Sequence, residues 1–209
     1  MYTEVIFDIE TQKLFDQIPD RERIEDLGIS VVSAYRRVLD GGYREVRGEM
    51  GSFWDENAPG ERRRVLELWE WMANADRVIG FNSVKFDAPI LNAYMQGDVM
   101  KLAHFDILEQ VRLVLGHRLS LDALAKSTLG ETKLADGLAA VDWWQAGDEE
   151  SLEKLQKYCE MDVEVTKRLY DVGLKERRLK YISKWNEPKE VEVDFTYPKK
   201  EEEVQLGLF

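Results

Sequence analysis

Asp8 and Glu10 stand two apart at the end of the run Val5-Ile6-Phe7-Asp8-Ile9-Glu10-Thr11. An apolar, β-branched run of this kind reads as a buried strand, and side chains two apart on a strand share a face. Two carboxylates held side by side repel one another unless a cation sits between them. Their hard oxygen donors suit Mg²⁺ or Mn²⁺. Three other Asp-x-Glu triplets occur, Asp20-Arg21-Glu22, Asp148-Glu149-Glu150 and Asp162-Val163-Glu164, and none follows an apolar strand run. Position at the strand's end, more than the triplet itself, marks Asp8 and Glu10.

Two later segments carry residues that could complete such a site. Val78-Ile79-Gly80-Phe81-Asn82-Ser83-Val84-Lys85-Phe86-Asp87 reads as a core strand, a turn and the first turn of a helix. That helix continues through Ile90, Leu91, Tyr94 and Met95, which share one face. Asp87 precedes Pro89, which a helix tolerates in its first turn, so Asp87 is either a site residue or a first-turn acid. The third segment lies in a long helical pattern whose apolar stripe runs through Leu152, Leu155, Cys159, Val163, Leu169 and Leu174. Tyr158 and Asp162, four apart, are stacked neighbours on one face of it. A carboxylate facing a core needs a partner, and a Tyr hydroxyl beside it could orient a water. The alternative is a partly exposed Asp next to a Tyr whose ring packs in the core.

In that order, the three segments resemble the DEDD superfamily of 3′-to-5′ exonucleases, in the subclass whose third motif carries Tyr. The matching positions are Asp8 and Glu10, then Asn82, Phe86 and Asp87, then Tyr158 and Asp162. The His subclass places its His five residues before the last Asp. Here that position is Lys157, and the only histidines are His104 and His117. The resemblance spans roughly residues 1–180. His104-Phe105-Asp106-Ile107 and Leu119-Ser120-Leu121-Asp122-Ala123-Leu124 look like stand-alone members related to the proofreading domains of family-B polymerases. It implies an RNase H-like α/β fold, and Asp8, Glu10, Asp87 and Asp162 as ligands of two Mg²⁺ or Mn²⁺ ions. Tyr158 would position the attacking water. The backbone around Ile9 and Thr11 would hold the 3′-terminal nucleotide, and Asn82 and Phe86 would shape the path of the strand. Asp106 and His104 are at most supporting residues, with a capping or core role equally open.

Composition bounds this reading. At 209 residues, with 44% hydrophobic residues and six Trp, the chain fits one folded domain with a sizeable core. The one cysteine, Cys159, lies on an apolar helix face and reads as a packed thiol. No apolar stretch precedes the first strand and no run has the length of a membrane span, so no membrane partner and a cytoplasmic location are expected. A net charge of −12 is unlike a generic nucleic-acid binder, which is usually basic. Divalent cations on the acids would answer part of that objection by meeting phosphate directly.

The elements that must position these residues can be traced coarsely. Strands are expected at 2–9, 28–38 and 43–50, with Asp40-Gly41-Gly42 as a hairpin turn. Pro59 is expected to open a helix running to about Ala75, with Val65, Leu66, Leu68, Trp69 and Met72 on its buried side. A strand at 77–81 leads to the helix after Asp87. A strand near 102–105 leads to a helix at 107–116, and helices follow near 120–128 and 149–180. The sum is a mixed five-stranded sheet flanked by helices.

After residue 185 helical periodicity stops. Pro188, Pro198 and Lys199-Lys200-Glu201-Glu202-Glu203 give an extended, solvated linker, so the expected division is a domain at 1–185 and a tail at 186–209. The chain ends in Gln205-Leu206-Gly207-Leu208-Phe209. That pentapeptide resembles the bacterial sliding-clamp-binding motif, in which the Leu and Phe side chains fill an apolar pocket and Gln makes polar contacts. The alternative is a tail that folds back onto its own domain. Together the resemblances imply metal-dependent release of nucleotides from DNA 3′ ends, single-stranded by preference, tethered to a sliding clamp in replication or repair. A 3′-to-5′ RNA exonuclease of the same fold and a non-catalytic adaptor for DNA ends are the other readings. An adaptor has no need of four mutually repelling carboxylates.

Overall fold

The computed structural model describes residues 1–130 and 138–197. Its frame is a five-stranded sheet of β1 (Tyr2–Thr11), β2 (Ile29–Leu39), β3 (Glu45–Trp54), β4 (Arg77–Gly80) and β5 (His104–Asp106). The strand order is β3-β2-β1-β4-β5. β1, β2 and β3 form an antiparallel meander, whereas β4 and β5 run parallel to β1. The meander turns at Asp40, whose carboxylate accepts the N–H groups of Gly42 and Arg44. The expected mixed sheet flanked by helices is what forms.

Alternation along the central strand decides what each side chain meets. Val5, Phe7 and Ile9 enter a core completed by Leu68, Trp71, Met72, Ile90 and Leu91. Those residues come from a 3-10 turn at Val65–Leu68, from α1 (Trp69–Met72) and from α2 (Asp87–Asn92). Ile6 points to the opposite face, onto a core with residues of α3 (Ile107–Leu115), α4 (Leu121–Leu129) and α6 (Glu149–Glu176). Asp8 and Glu10 share the parity of Ile6 and therefore project toward the α6 side. α5 (Leu138–Ala146) lies along α6, where Trp143 and Trp144 join a third cluster with Trp54, Leu155 and Cys159.

Three expectations need correction. No helix starts at Pro59. Residues 63 and 64 instead run beside the end of β3, with the Trp54 N–H donating to the Arg63 carbonyl at 2.8 Å and a parallel bridge joining Trp54 to Arg64. Helical turns begin only at Val65, where Glu67 accepts the Arg64 N–H, and Leu66 is exposed. The long helix is unbroken but stops at Glu176, because Arg177 adopts a left-handed conformation with φ 59°. Residues 186–197 are not a solvated linker. β6 (Arg178–Ile182) and β7 (Pro188–Glu192) form an antiparallel hairpin, and Val191, Val193 and Phe195 are buried beyond it.

Arg77 fixes that last segment. Its guanidinium donates to the Tyr170 hydroxyl at 2.8 Å and to the carbonyls of Phe195 and Thr196 at 3.0 and 2.7 Å. It also lies 3.8 Å from the ring centre of Tyr197. Nearby, Arg37 and Glu4 form a buried ion pair at 2.6 Å, and the Tyr170 hydroxyl donates to Glu4 at 2.9 Å. This polar cluster sits near the start of β1, about 13 Å along the strand from Asp8 at the usual rise per residue. Among the described residues, no helix is long and apolar enough to cross a membrane.

Candidate active site

The parallel half of the sheet runs out before Asp8 and Glu10. β4 pairs with β1 only as far as Ile6, because it ends at Gly80 and turns away. The Ile9 N–H beyond that point donates to Asp87 Oδ1 at 3.2 Å, so the first residue of α2 takes the place of a strand neighbour. On the other side, the Cys159 thiol of α6 donates to the Asp8 carbonyl at 3.4 Å. Side-chain donor atoms of Asp8, Glu10 and Cys159 lie within 4.8 Å of one another. Asp8 and Glu10 are half-buried, while Asp87, Tyr158 and Asp162 are buried. Tyr158 and Asp162 flank Cys159 on the inward face of α6. β1 and the start of α2 thus bring Asp8, Glu10 and Asp87 to one end of the strand, which α6 reaches through Cys159.

The turn between β4 and α2 is held by one carboxylate. Asp106, at the end of β5, accepts the N–H groups of Asn82 and Val84 at 2.9 and 3.1 Å and caps α3 through the Glu109 N–H at 3.1 Å. Asn82 has φ 64°, a left-handed conformation that Asn tolerates better than most residues. Its side-chain oxygen accepts from Arg118 Nη2 at 2.8 Å. Gly80 is required at the bend, since a Cβ there would stand 2.4 Å from that of Ser83. Of the two open supporting residues, Asp106 is the capping and bracing one. His104 turns its Nε2 to the Val99 carbonyl at 2.8 Å.

The other sequence-predicted residues fall at different depths. Phe86 packs half-buried on the first core, 6.1 Å from the ring of Phe15. The Ile9 side chain is buried and its N–H is engaged by Asp87. Thr11 is half-buried, its hydroxyl donating to the Lys13 carbonyl at 2.9 Å. Gln205, Leu206, Leu208 and Phe209 lie outside the described residues. Sequence reading missed two contributors: Trp143, whose ring meets Tyr158 at 6.0 Å, and Arg118, which donates to Asn82. The Ser120–Asp122 context gave no cue to Arg118, and the Trp143-Trp144 pair was the available sign of a packed helix beside α6.

Electrostatics favour oxygen coordination here. Burial pushes the Asp87 carboxyl up to about 7, with the charge of Asp106 adding to the rise and the Ile9 N–H opposing it. A divalent cation would remove that cost by pairing with the ionised form. Burial, then the charges of Asp8 and Glu10, raises the Cys159 thiol well above its usual range. Its thiol donates to the Asp8 carbonyl, and the carboxylates are the hard oxygen donors of the site. Such a set fits Mg²⁺ or Mn²⁺.

Two structures of E. coli exonuclease I are similar in part. One is a zinc-bound complex with single-stranded DNA, 13% identical with TM-score 0.44; the other is a complex with a dA16 oligonucleotide, 12% identical with TM-score 0.43. Each match covers 84% of this chain and 41% of the other, so the chain spans about two-fifths of the length of exonuclease I. No curated protein matches the chain. The family model described as the RNase_H superfamily matches residues 5–173, from the strand that carries Asp8 to the last turns of α6. The mixed sheet and its acid-bearing end agree with that match: the chain belongs to the RNase_H superfamily.

Proposed function

We propose that the protein is a metal-dependent 3′-to-5′ exonuclease of the Tyr subclass, releasing nucleotides from the 3′ ends of single-stranded DNA. The observation that supports this reading is the grouping of Asp8 and Glu10 with Cys159 of α6 at the end of one strand, with the Asp87 carboxylate on the Ile9 N–H beside it. Family membership supports hydrolysis of a nucleic acid, and the order of the motifs supports the 3′-to-5′ polarity.

Asp8, Glu10, Asp87 and Asp162 would hold two Mg²⁺ or Mn²⁺ ions. When bound, such a pair makes hydroxide available near neutral pH and takes up charge on the leaving oxygen. The chain's own groups supply the rest. Tyr158, its ring held by Trp143, would direct its hydroxyl at the attacking water and align it with the scissile phosphorus. Asp106 keeps the β4–α2 turn rigid, so Asp87 meets β1 in one place. Asn82, Phe86 and Thr11 border the path a strand end would take. The terminal Gln205, Leu206, Leu208 and Phe209 would dock on a bacterial sliding clamp and hold the acidic enzyme near its substrate.

The test is substitution of one acid from each side of the site. Asp8→Ala and Asp162→Ala should each abolish nucleotide release from a labelled single strand while circular dichroism and melting remain those of a folded protein. Full activity in either variant would remove the assignment.

A further inference from the structure

On one flank of the carboxylates the balance of charge changes sign. Asn82, Lys85, Asp106, Glu109, Arg112 and Arg118 line a small concavity beside the β4–α2 turn. Its acids are already engaged. Asp106 accepts three backbone N–H groups, and Glu109 is shared by Lys85 at 3.6 Å and Arg112 at 3.2 Å. Among the described residues no acid pairs with Arg118, whose Nη2 donates to the neutral amide oxygen of Asn82. In a chain of net charge −12, an exposed guanidinium left without an acid on a short loop gains little stability there. The turn it touches is the one that presents Asp87. The Asn82 carbonyl accepts the Phe86 N–H at 3.2 Å, and the Ser83 carbonyl accepts the Ala88 N–H at 2.8 Å.

We propose that Arg118, flanked by Lys85 and Arg112, binds a backbone phosphate of the substrate strand beside the one the carboxylates handle. The inference rests on the nuclease reading above and names a contact that the motifs do not contain. The ligand class is the phosphodiester backbone of a single strand, not a base. A guanidinium is a planar fork matched to phosphate oxygens, and Asn82 steadies one arm of it while the others face solvent. An acidic enzyme needs a local positive field of this kind to hold a polyanion while its carboxylates are engaged with metal. Because the concavity is open to water, the contact exchanges counterions and is salt-dependent.

The experiment compares wild type, Arg118→Ala and Arg118→Lys by anisotropy of a fluorescent oligothymidine in Ca²⁺ over a salt series, and by kcat and KM in Mg²⁺. Arg118→Ala should raise Kd and KM about tenfold and leave kcat within about twofold. The slope of log K against log salt should become shallower by about 0.7, the loss of one phosphate contact on a single strand. Arg118→Lys should restore the slope and part of the affinity. An unchanged slope would overturn the proposal. So would a fall in kcat at constant KM, which would make Arg118 only a prop for the Asn82 turn. Anisotropy reads the contact without turnover. A wild type that binds but releases no nucleotide would therefore remove the exonuclease reading and leave Arg118 judged by its slope.

Discussion

Asp87 is a buried carboxyl whose charge the fold alone does not compensate, and this gives it a measurable signature. Its folded-state value is raised to about 7, above the roughly 3.9 of an unfolded Asp. Below about pH 4 the group is protonated in both states and costs nothing. As pH rises toward 7 the unfolded chain ionises it more readily, so stability falls through that window and the loss is complete above it. Melting temperature in EDTA should decline between about pH 4 and pH 7 more steeply for wild type than for Asp87→Asn. The variant should also be the more stable of the two at pH 8. Parallel curves would mean that Asp87 is not the strained group. Tyr158→Phe isolates the other chemical role. It should lower kcat by about a hundredfold, at the small end for a group acting on a proton in flight, with KM unchanged. A rise in KM alone would place Tyr158 in strand binding. The motif positions stand out in sequence because each lies in a local pattern, a strand end, a helix start and an i, i+4 pair. Arg118 was not, since it meets Asn82 only through the fold.

At the scale of elements, the sheet was readable and two of its surroundings were not. Strands β1, β2 and β4 have apolar runs, and the Asp40-Gly41-Gly42 turn and Gly116, whose left-handed conformation stops α3 where expected, are signals that local rules recognise. Residues 63 and 64 escaped because their partner is the main chain of Trp54, which no local pattern records. The C-terminal hairpin is a different failure. Val191, Val193 and Phe195 alternate with Glu192, Asp194 and Thr196, the period of a half-buried strand, but the density of charge outweighed that signal. The left-handed Arg177, without a glycine to announce it, hid the end of α6. The hairpin is therefore part of the domain, and the boundary expected at residue 185 falls inside the folded body. Phe195→Ala should cost about 3–5 kcal/mol, because the ring is fully buried among Phe105, Tyr170 and Gly173. Urea denaturation measures it. A cost below about 1 kcal/mol would return residues 186–197 to the status of a linker.

For the whole molecule, the described chain ends at Tyr197, stacked on Tyr43 near the start of β1, while Asp8, Glu10 and Asp87 lie at that strand's far end. The proposed clamp-binding peptide begins eight residues after Tyr197. Deleting residues 205–209 should leave hydrolysis of short single strands unchanged and abolish binding to a bacterial sliding clamp. Calorimetry of the terminal pentapeptide should give an affinity of order micromolar, since so short a segment buries little area and must be ordered on binding. Absence of binding at high micromolar concentration would detach the tail from any clamp. The central claim is narrower than the tether. It is that four acids and a tyrosine at the end of β1 hydrolyse a strand from its 3′ end with divalent metal. One time course decides it: a single-stranded DNA labelled at its 5′ end, incubated with the protein in Mg²⁺, in Mn²⁺ and in EDTA. The account predicts a ladder shortening one nucleotide at a time in either metal and an intact strand in EDTA. Release of the labelled 5′ nucleotide first, internal cutting, or shortening that persists in EDTA would contradict it.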